Sequence, residues 1–333
     1  MRIALAVAVL GLSASVATAA ADPDRYMPVR LIVESYAPKP GSSILIGLRM
    51  TPKPGWHGYW SNPGDSGIAP TVRWSAPAGV TFEPLKHPAP TLLTAGGISS
   101  YVHEGEHILL SRMTVPRTIA SATPIPIEAD LSWAACTATQ CVPLHTKLTL
   151  ELRAGDGSAS EDRAALHAAV AKLPRSAPQG RFVESGKSLR LVLPRSLALQ
   201  PARTRFFAEQ SDVFDTAAAR SRVVDGLLLL TGPAGAAVPE SITGVVTDGR
   251  HAYRLTLVRT ADLPATGAPQ KAVGESSAET KPKHEAQAEM RAPVHAGVPE
   301  PNPPRSNWTG LAVTVAALIG AAGLAWLLRA SRR

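Results

Sequence analysis

The chain has 333 residues, of which 45% are hydrophobic and 18% are charged. That apolar fraction is normal for a globular protein and excludes wholesale disorder, while 30 prolines disfavour a helical bundle. Two cysteines are too few for a Cys₄ zinc site or a multi-disulfide scaffold. The net charge of +8 includes no long run of Lys or Arg, so we expect no nucleic-acid binding.

The N-terminal segment predicts export. An apolar run at residues 3–12 follows Met1 and Arg2, and small residues at 17–21 form A-x-A cleavage patterns. This order of charge, apolar run and small residues is typical of a secretory signal peptide, which we place at residues 1–21.

The C-terminal segment predicts a membrane anchor. Residues 308–328 form a stretch of about 21 residues without a charge, long enough to cross a bilayer, and we expect a transmembrane helix over 307–328. The basic tail at 329–333, with Arg329, Arg332 and Arg333, is expected to stay in the cytoplasm. The sequence thus predicts a single-pass protein of the inner (cytoplasmic) membrane with its bulk in the periplasm.

A proline-rich segment at 264–306 precedes this anchor. It has few aliphatic residues and cannot bury enough apolar surface to offset the entropy of ordering it, so we expect a disordered, flexible linker. Such a linker would let the folded part search the membrane surface for a partner.

The remaining chain predicts an all-β fold in two domains. Residues 22–155 show alternating strands separated by turns, as in an immunoglobulin-like β-sandwich. A helical connector is expected at 156–178, with Ser158 and Glu161 as a capping box and Pro174 just after the helix. A second, smaller β domain, also expected to be a sandwich, follows at 179–263. The strands expected in the two domains are 29–34, 43–50, 71–74, 107–115, 125–135, 145–152, 189–193, 227–230, 242–247 and 253–257.

Cys136 and Cys141 lie between two expected strands, so a hairpin turn would bring them within disulfide distance. Export would permit the pair to oxidise. Closing so short a loop is expected to stabilise the fold by only about 2 kcal/mol. Spacing alone leaves two interpretations open, a redox-active pair and a fixed structural bond.

Several motifs occur in a characteristic order around this pair, and together they resemble the N-terminal periplasmic domain of the thiol:disulfide interchange protein DsbD. The resemblance covers about residues 26–152 and is similar to the version found in ScsB proteins. It is looser over 180–260, where ScsB-like proteins have a second β domain. The motifs are WHGYWSNPGDSG at 56–67, Trp74, YVHEGE at 101–106, the two cysteines and Pro143.

The resemblance implies a cysteine pair that cycles between dithiol and disulfide. Cys141 would form the mixed disulfide with the electron donor, and Cys136 would resolve it. A cap loop with an aromatic tip shields the pair in this family; the matching stretch here is 97–101, and Ile98 and Tyr101 are the candidates. The partners implied are a thioredoxin-like redox protein or a membrane electron-transfer protein, and oxidised exported client proteins. No cofactor or metal is expected.

Two further interpretations come from the residues themselves. The sequence His103-Glu-Gly-Glu-His107 spells the H-E-x-x-H zinc-protease motif, which requires a helix; Gly105 and the strand that follows instead favour an exposed turn. The chain could also be a non-catalytic, membrane-anchored adaptor whose disulfide is only structural. If active, the protein would be a thiol:disulfide oxidoreductase.

Overall fold

The protein is described by a computed structural model covering residues 21–261. The expected signal peptide, linker and anchor lie outside these residues, apart from Ala21. Within them, no helix has the length and apolar character needed to cross a membrane.

One α-helix, α1, spans Arg163–Lys172. The strands are β1 Val29–Val33, β2 Ser43–Met50, β3 Gly58–Gly64, β4 Thr71–Ser75, β5 Thr81–Phe82, β6 Thr91–Ala95, β7 Ile98–His103, β8 His107–Thr114, β9 Pro124–Cys136, β10 Cys141–Arg153, β11 Arg175–Ser176, β12 Gly180–Ser185, β13 Ser188–Val192, β14 Arg205–Ala208, β15 Arg220–Val224, β16 Leu227–Pro233, β17 Ser241–Thr247 and β18 Ala252–Arg259.

The first ten strands form a β-sandwich with a small additional sheet. The order β1-β2-β8-β5 makes one sheet, β10-β9-β4 the second, and β3-β7-β6 the third. Alternate side chains of β2 and β8 pack against those of β9, because successive residues of a strand point to opposite faces. Leu48, Leu109, Leu131 and Trp133 are all essentially inaccessible to solvent in this core. One face of β9 therefore lies in this core.

The helix α1 covers the outer face of the first sheet. Leu166 and Ala169 pack against Leu110 and its neighbours on β1 and β2. The expected capping box is wrong: the helix begins at Arg163, and its N-cap residue Asp162 makes no side-chain cap bond. Ser160 lies just before the helix, and its hydroxyl donates to the Val33 carbonyl and accepts from the Asp162 amide. These two bonds anchor the residue at the end of β1 and favour the later start of the helix.

The second group of strands forms one continuous sheet in place of the two-sheet sandwich expected for it. Its order is β14-β17-β18-β12-β13-β16-β15, with β11 paired to β18. Phe206 of β14 and Leu230 of β16 belong to the same buried cluster although four strands separate them in the sheet. Strands are spaced by about 4.8 Å, so the sheet must curl around this single core.

The turn between β7 and β8, which connects two different sheets, is flanked by the two histidines of the protease-like motif. His103 ends β7 and His107 begins β8, with ring centroids 4.5 Å apart, and the ring of His87 lies 6.4 Å from that of His103. The expectation of an exposed turn is right only for residues 104–106, since both histidines are buried. No helix forms, and among residues 21–261 no group of three His, Cys, Asp or Glu is arranged to hold a metal ion.

The enclosed position of the His87, His103 and His107 rings leads us to predict that the stability of the fold depends on pH. Burial lowers the pKa of His87 to about 4 and also lowers the pKa of His103 and of His107. The unfolded chain therefore takes up protons below about pH 6.5 while the folded chain does not, and stability falls as the pH drops. We expect urea unfolding to give full stability at pH 7.5 and a progressive loss of stability as the pH falls below about 6.5.

A matched pair of variants tests the origin of this effect. His87→Gln should reduce the slope between pH 6.5 and 5, whereas His284→Gln, in the linker expected at 264–306, should leave it in place. A stability that is constant from pH 7.5 to 5 would contradict the assignment.

Candidate functional site: the Cys136–Cys141 hairpin

The β9–β10 hairpin positions the two cysteines. Its ladder runs from Arg153 opposite Pro124 up to Cys141 opposite Cys136, so the cysteines form the last cross-strand pair before the loop. They are joined by a disulfide, with Cα atoms 4.1 Å apart. In the loop, the Thr137 hydroxyl accepts from the backbone amides of Thr139 and Gln140, which fixes the turn locally.

The two cysteines differ in their exposure to solvent. Cys136 is completely buried, and its backbone pairs with His57 on the side away from Cys141, through N–H···O distances of 2.9 and 3.0 Å. Cys141 is exposed at the start of β10, the outer strand of its sheet. An incoming thiolate can therefore reach Cys141, while Cys136 is the leaving sulfur held inside the protein.

Tyr59 lies directly against the exposed cysteine. Its hydroxyl is 3.7 Å from the Cys141 sulfur, and since a disulfide sulfur has no proton, the hydroxyl is the donor. Burial raises the pKa of Tyr59, so the hydroxyl stays protonated at any working pH. The His57 ring packs edge-on to the Tyr59 ring at 5.5 Å, and burial lowers the pKa of His57, with the Glu104 carboxylate opposing that shift.

A pocket of about 320 Å³ opens beside the disulfide. The β6–β7 hairpin forms one side of it and the cysteine loop 137–140 the other, and Ile98 and Cys141 both line it. Ile98 is half exposed at the tip of the hairpin. This is the position that an apolar cap over the cysteines requires.

The two cap candidates lie in different places. Ile98 is beside the cysteines, whereas Tyr101 is buried against the second group of strands, where its ring contacts Phe207 and its hydroxyl contacts Thr216. Alternation along β7 explains this separation, because residues 98 and 101 lie on opposite faces of a strand. Ile98 is thus the candidate that the geometry supports.

The sequence alone gave no indication that Tyr59 contacts the cysteines. Both Tyr59 and Trp60 are buried, Tyr59 beside Cys136 and Trp60 against Phe207. A strand over this segment would have indicated that Tyr59 and Trp60 face opposite ways, but the glycines and the proline around it obscured β3.

A family model matches the part of the chain that contains the cysteine pair. Residues 25–153 match "Thiol:disulfide interchange protein DsbD, N-terminal". The matched residues span the first ten strands. Among curated proteins, none matches the sequence.

One solved structure shows a similar fold over a longer stretch of the chain. The N-terminal periplasmic domain of ScsB from Proteus mirabilis is 18% identical, with a TM-score of 0.51 over 71% of this chain and 94% of that chain. The N-terminal domain of Neisseria meningitidis DsbD in its reduced form is 9% identical, with a TM-score of 0.24 over 42% of this chain and 93% of that chain. The ScsB match extends beyond residues 25–153 into the second group of strands, and it shows the fold.

Gly67 allows the Tyr59 ring to reach the cysteine. A Cβ at Gly67 would lie 2.2 Å from the Tyr59 ring, and the backbone has φ of +117°. We expect Gly67→Ala to lower the free energy of unfolding by about 1–3 kcal/mol and to displace the ring. Gly97→Ala is the control: it also has a positive φ, but nothing lies within 4 Å of its Cβ. Equal losses for both variants in urea unfolding would refute the proposed steric role of Gly67.

Proposed function

We propose that the protein is a membrane-tethered periplasmic thiol:disulfide interchange protein. Electrons would pass through the Cys136–Cys141 pair from a thioredoxin-like or membrane-embedded donor to oxidised exported proteins. The observation that supports this most strongly is the asymmetric pair, with one exposed and one fully buried cysteine, at the rim of a pocket in the part of the chain that matches the DsbD N-terminal family model.

The first half of the cycle reduces the protein. A donor thiolate attacks the Cys141 sulfur, the Cys136–Cys141 bond breaks, and Cys136 leaves as a thiolate that takes up a proton. The second donor thiol then attacks the mixed disulfide and releases Cys141, so that the donor becomes a disulfide and two electrons are transferred.

The second half passes those electrons to a client. The Cys141 thiolate attacks a client disulfide and releases one client thiol. Cys136 then attacks the Cys141 sulfur, which releases the second client thiol and restores the Cys136–Cys141 bond. The Tyr59 hydroxyl is positioned to donate to the Cys141 thiolate in both halves, and Ile98 borders the approach.

The alternative role, a structural staple in an adaptor, receives less support from the hairpin. The β9–β10 ladder already joins the two strands from residue 124 to residue 136. A bond that closes a loop of four intervening residues removes little unfolded-state entropy, about 2 kcal/mol. The hairpin thus depends little on this bond for its stability.

Placement in the periplasm and attachment to the inner membrane are proposed from the sequence at 1–21 and 307–328. A flexible linker at 264–306 would let the redox domain reach both a membrane-bound donor and passing clients.

Single-cysteine variants test which sulfur reacts. The probe is a thioredoxin-like protein that retains only its attacking cysteine, activated as the mixed disulfide with thionitrobenzoate. Full-length Cys136→Ser, which keeps Cys141, should displace thionitrobenzoate at least about tenfold faster than Cys141→Ser, because access controls exchange. Release is followed by absorbance.

Two outcomes would contradict the proposal. Equal rates for the two variants would remove the assigned roles of Cys141 and Cys136. Failure of both variants to react while folded, although both react after unfolding, would favour the structural staple.

A further inference from the structure

The second group of strands, residues 175–259, contacts the same two strands that line the cysteine pocket. We propose that this second domain is a positioning element for the redox site, and that Asn62 and Tyr101 transmit its effect to Tyr59. The inference rests on the proposed exchange role of the cysteine pair and adds a function for the second domain.

The contact begins at an interruption in the β3–β7 ladder. Tyr59 pairs with Val102 and Gly64 pairs with Ser100, so residues 60–63 of β3 stand opposite the single residue Tyr101. A bulge of this size has no ladder of its own to fix its path, and other contacts must do so.

The second domain supplies these contacts through buried aromatic residues. Trp60 and Tyr101 both pack edge-on against Phe207, at centroid distances of 6.4 and 5.0 Å, and Val245 completes the cluster. The Tyr101 hydroxyl donates to the Thr216 hydroxyl at 2.9 Å, since Thr216 already donates to a backbone carbonyl.

Asn62 connects the bulge to the loop that follows it. This buried amide donates to the carbonyls of Ala208 and Gln210 at 2.8 and 3.2 Å, and its oxygen accepts from the Gly64 amide at 3.1 Å. One side chain therefore holds the second domain and the start of the loop 64–67 together.

That loop continues to the site. Ser99 and Asp65 exchange two hydrogen bonds of 2.9 Å, which fasten the loop to β7, and Gly67 at its end lies against the Tyr59 ring. A path of direct contacts thus runs from the second domain through Asn62 and the loop to the hydroxyl beside Cys141. Loss of the interdomain contacts should let Tyr59 move and should weaken its hydrogen bond to the Cys141 thiolate.

The test measures the acidity of Cys141 in full-length protein with Cys136→Ala, so that one thiol is present. Iodoacetamide alkylation followed against pH gives the thiolate fraction. Tyr59→Phe should lower the thiolate fraction at pH 7 by about tenfold, the effect of a hydrogen bond to a charged group. Tyr101→Phe and Asn62→Ala should each lower it by about threefold, since they loosen that bond without removing it.

Tyr253→Phe is the matched control. It also removes a buried tyrosine hydroxyl from a hydrogen bond, but that bond, from Arg175 at 3.1 Å, lies within the second domain. Its thiolate fraction should equal that of the parent. Circular dichroism of each variant monitors folding, and Tyr101→Phe, which keeps the ring, serves if Asn62→Ala does not fold.

Double variants that combine Asn62→Ala or Tyr101→Phe with Tyr59→Phe test whether these two residues act through Tyr59. If Asn62 and Tyr101 act through Tyr59, neither change should lower the thiolate fraction further in the Tyr59→Phe background. Full additivity there, or an effect of Tyr101→Phe and Asn62→Ala no larger than that of Tyr253→Phe, would overturn the inference. Iodoacetamide replaces the redox partner, so this result is independent of whether the pair exchanges with a partner protein.

Discussion

The β9–β10 ladder is the constraint on which the site depends. Its register places Cys136 opposite Cys141, and the pairing of Cys136 with His57 on the other side holds the buried sulfur in the interior. Cys141, at the outer edge, is left accessible. The chemical asymmetry of the pair is thus a consequence of strand order, since an inner strand is covered on both sides and an outer strand on one.

The small sheet β3-β7-β6 links this hairpin to the rest of the molecule. Because strands present alternate residues to opposite faces, β3 directs Tyr59 to the cysteines and Trp60 to the second domain. The same alternation separates Ile98 from Tyr101 on β7. One sheet therefore lines the pocket with one face and contacts the second domain with the other. Tyr59, beside the cysteines, and Trp60, against the second domain, are consecutive residues of β3.

Local patterns were sufficient to predict the all-β class and ten of the eighteen strands that the structure describes. The bounds of β2 and the alternation of β9 follow from the pattern of apolar residues, and the cysteine hairpin follows from two flanking strands. The start of α1 could not be predicted, because the Ser160 hydroxyl bonds to the carbonyl of Val33, 127 positions away in the sequence. The contact between Tyr59 and Cys141 could not be predicted from the sequence either. It joins residues 82 positions apart and depends on a bulge in β3 that no local pattern indicates.

The reduction potential of Cys136–Cys141 tests the central claim most directly. The full-length protein would be equilibrated against glutathione or thioredoxin buffers, and free thiols would be counted by alkylation. An exchange protein should give a value between about −180 and −270 mV, within the range of known exchange proteins. A value well below about −300 mV would identify a bond that the surrounding redox pool does not open, and it would contradict a redox function for this pair.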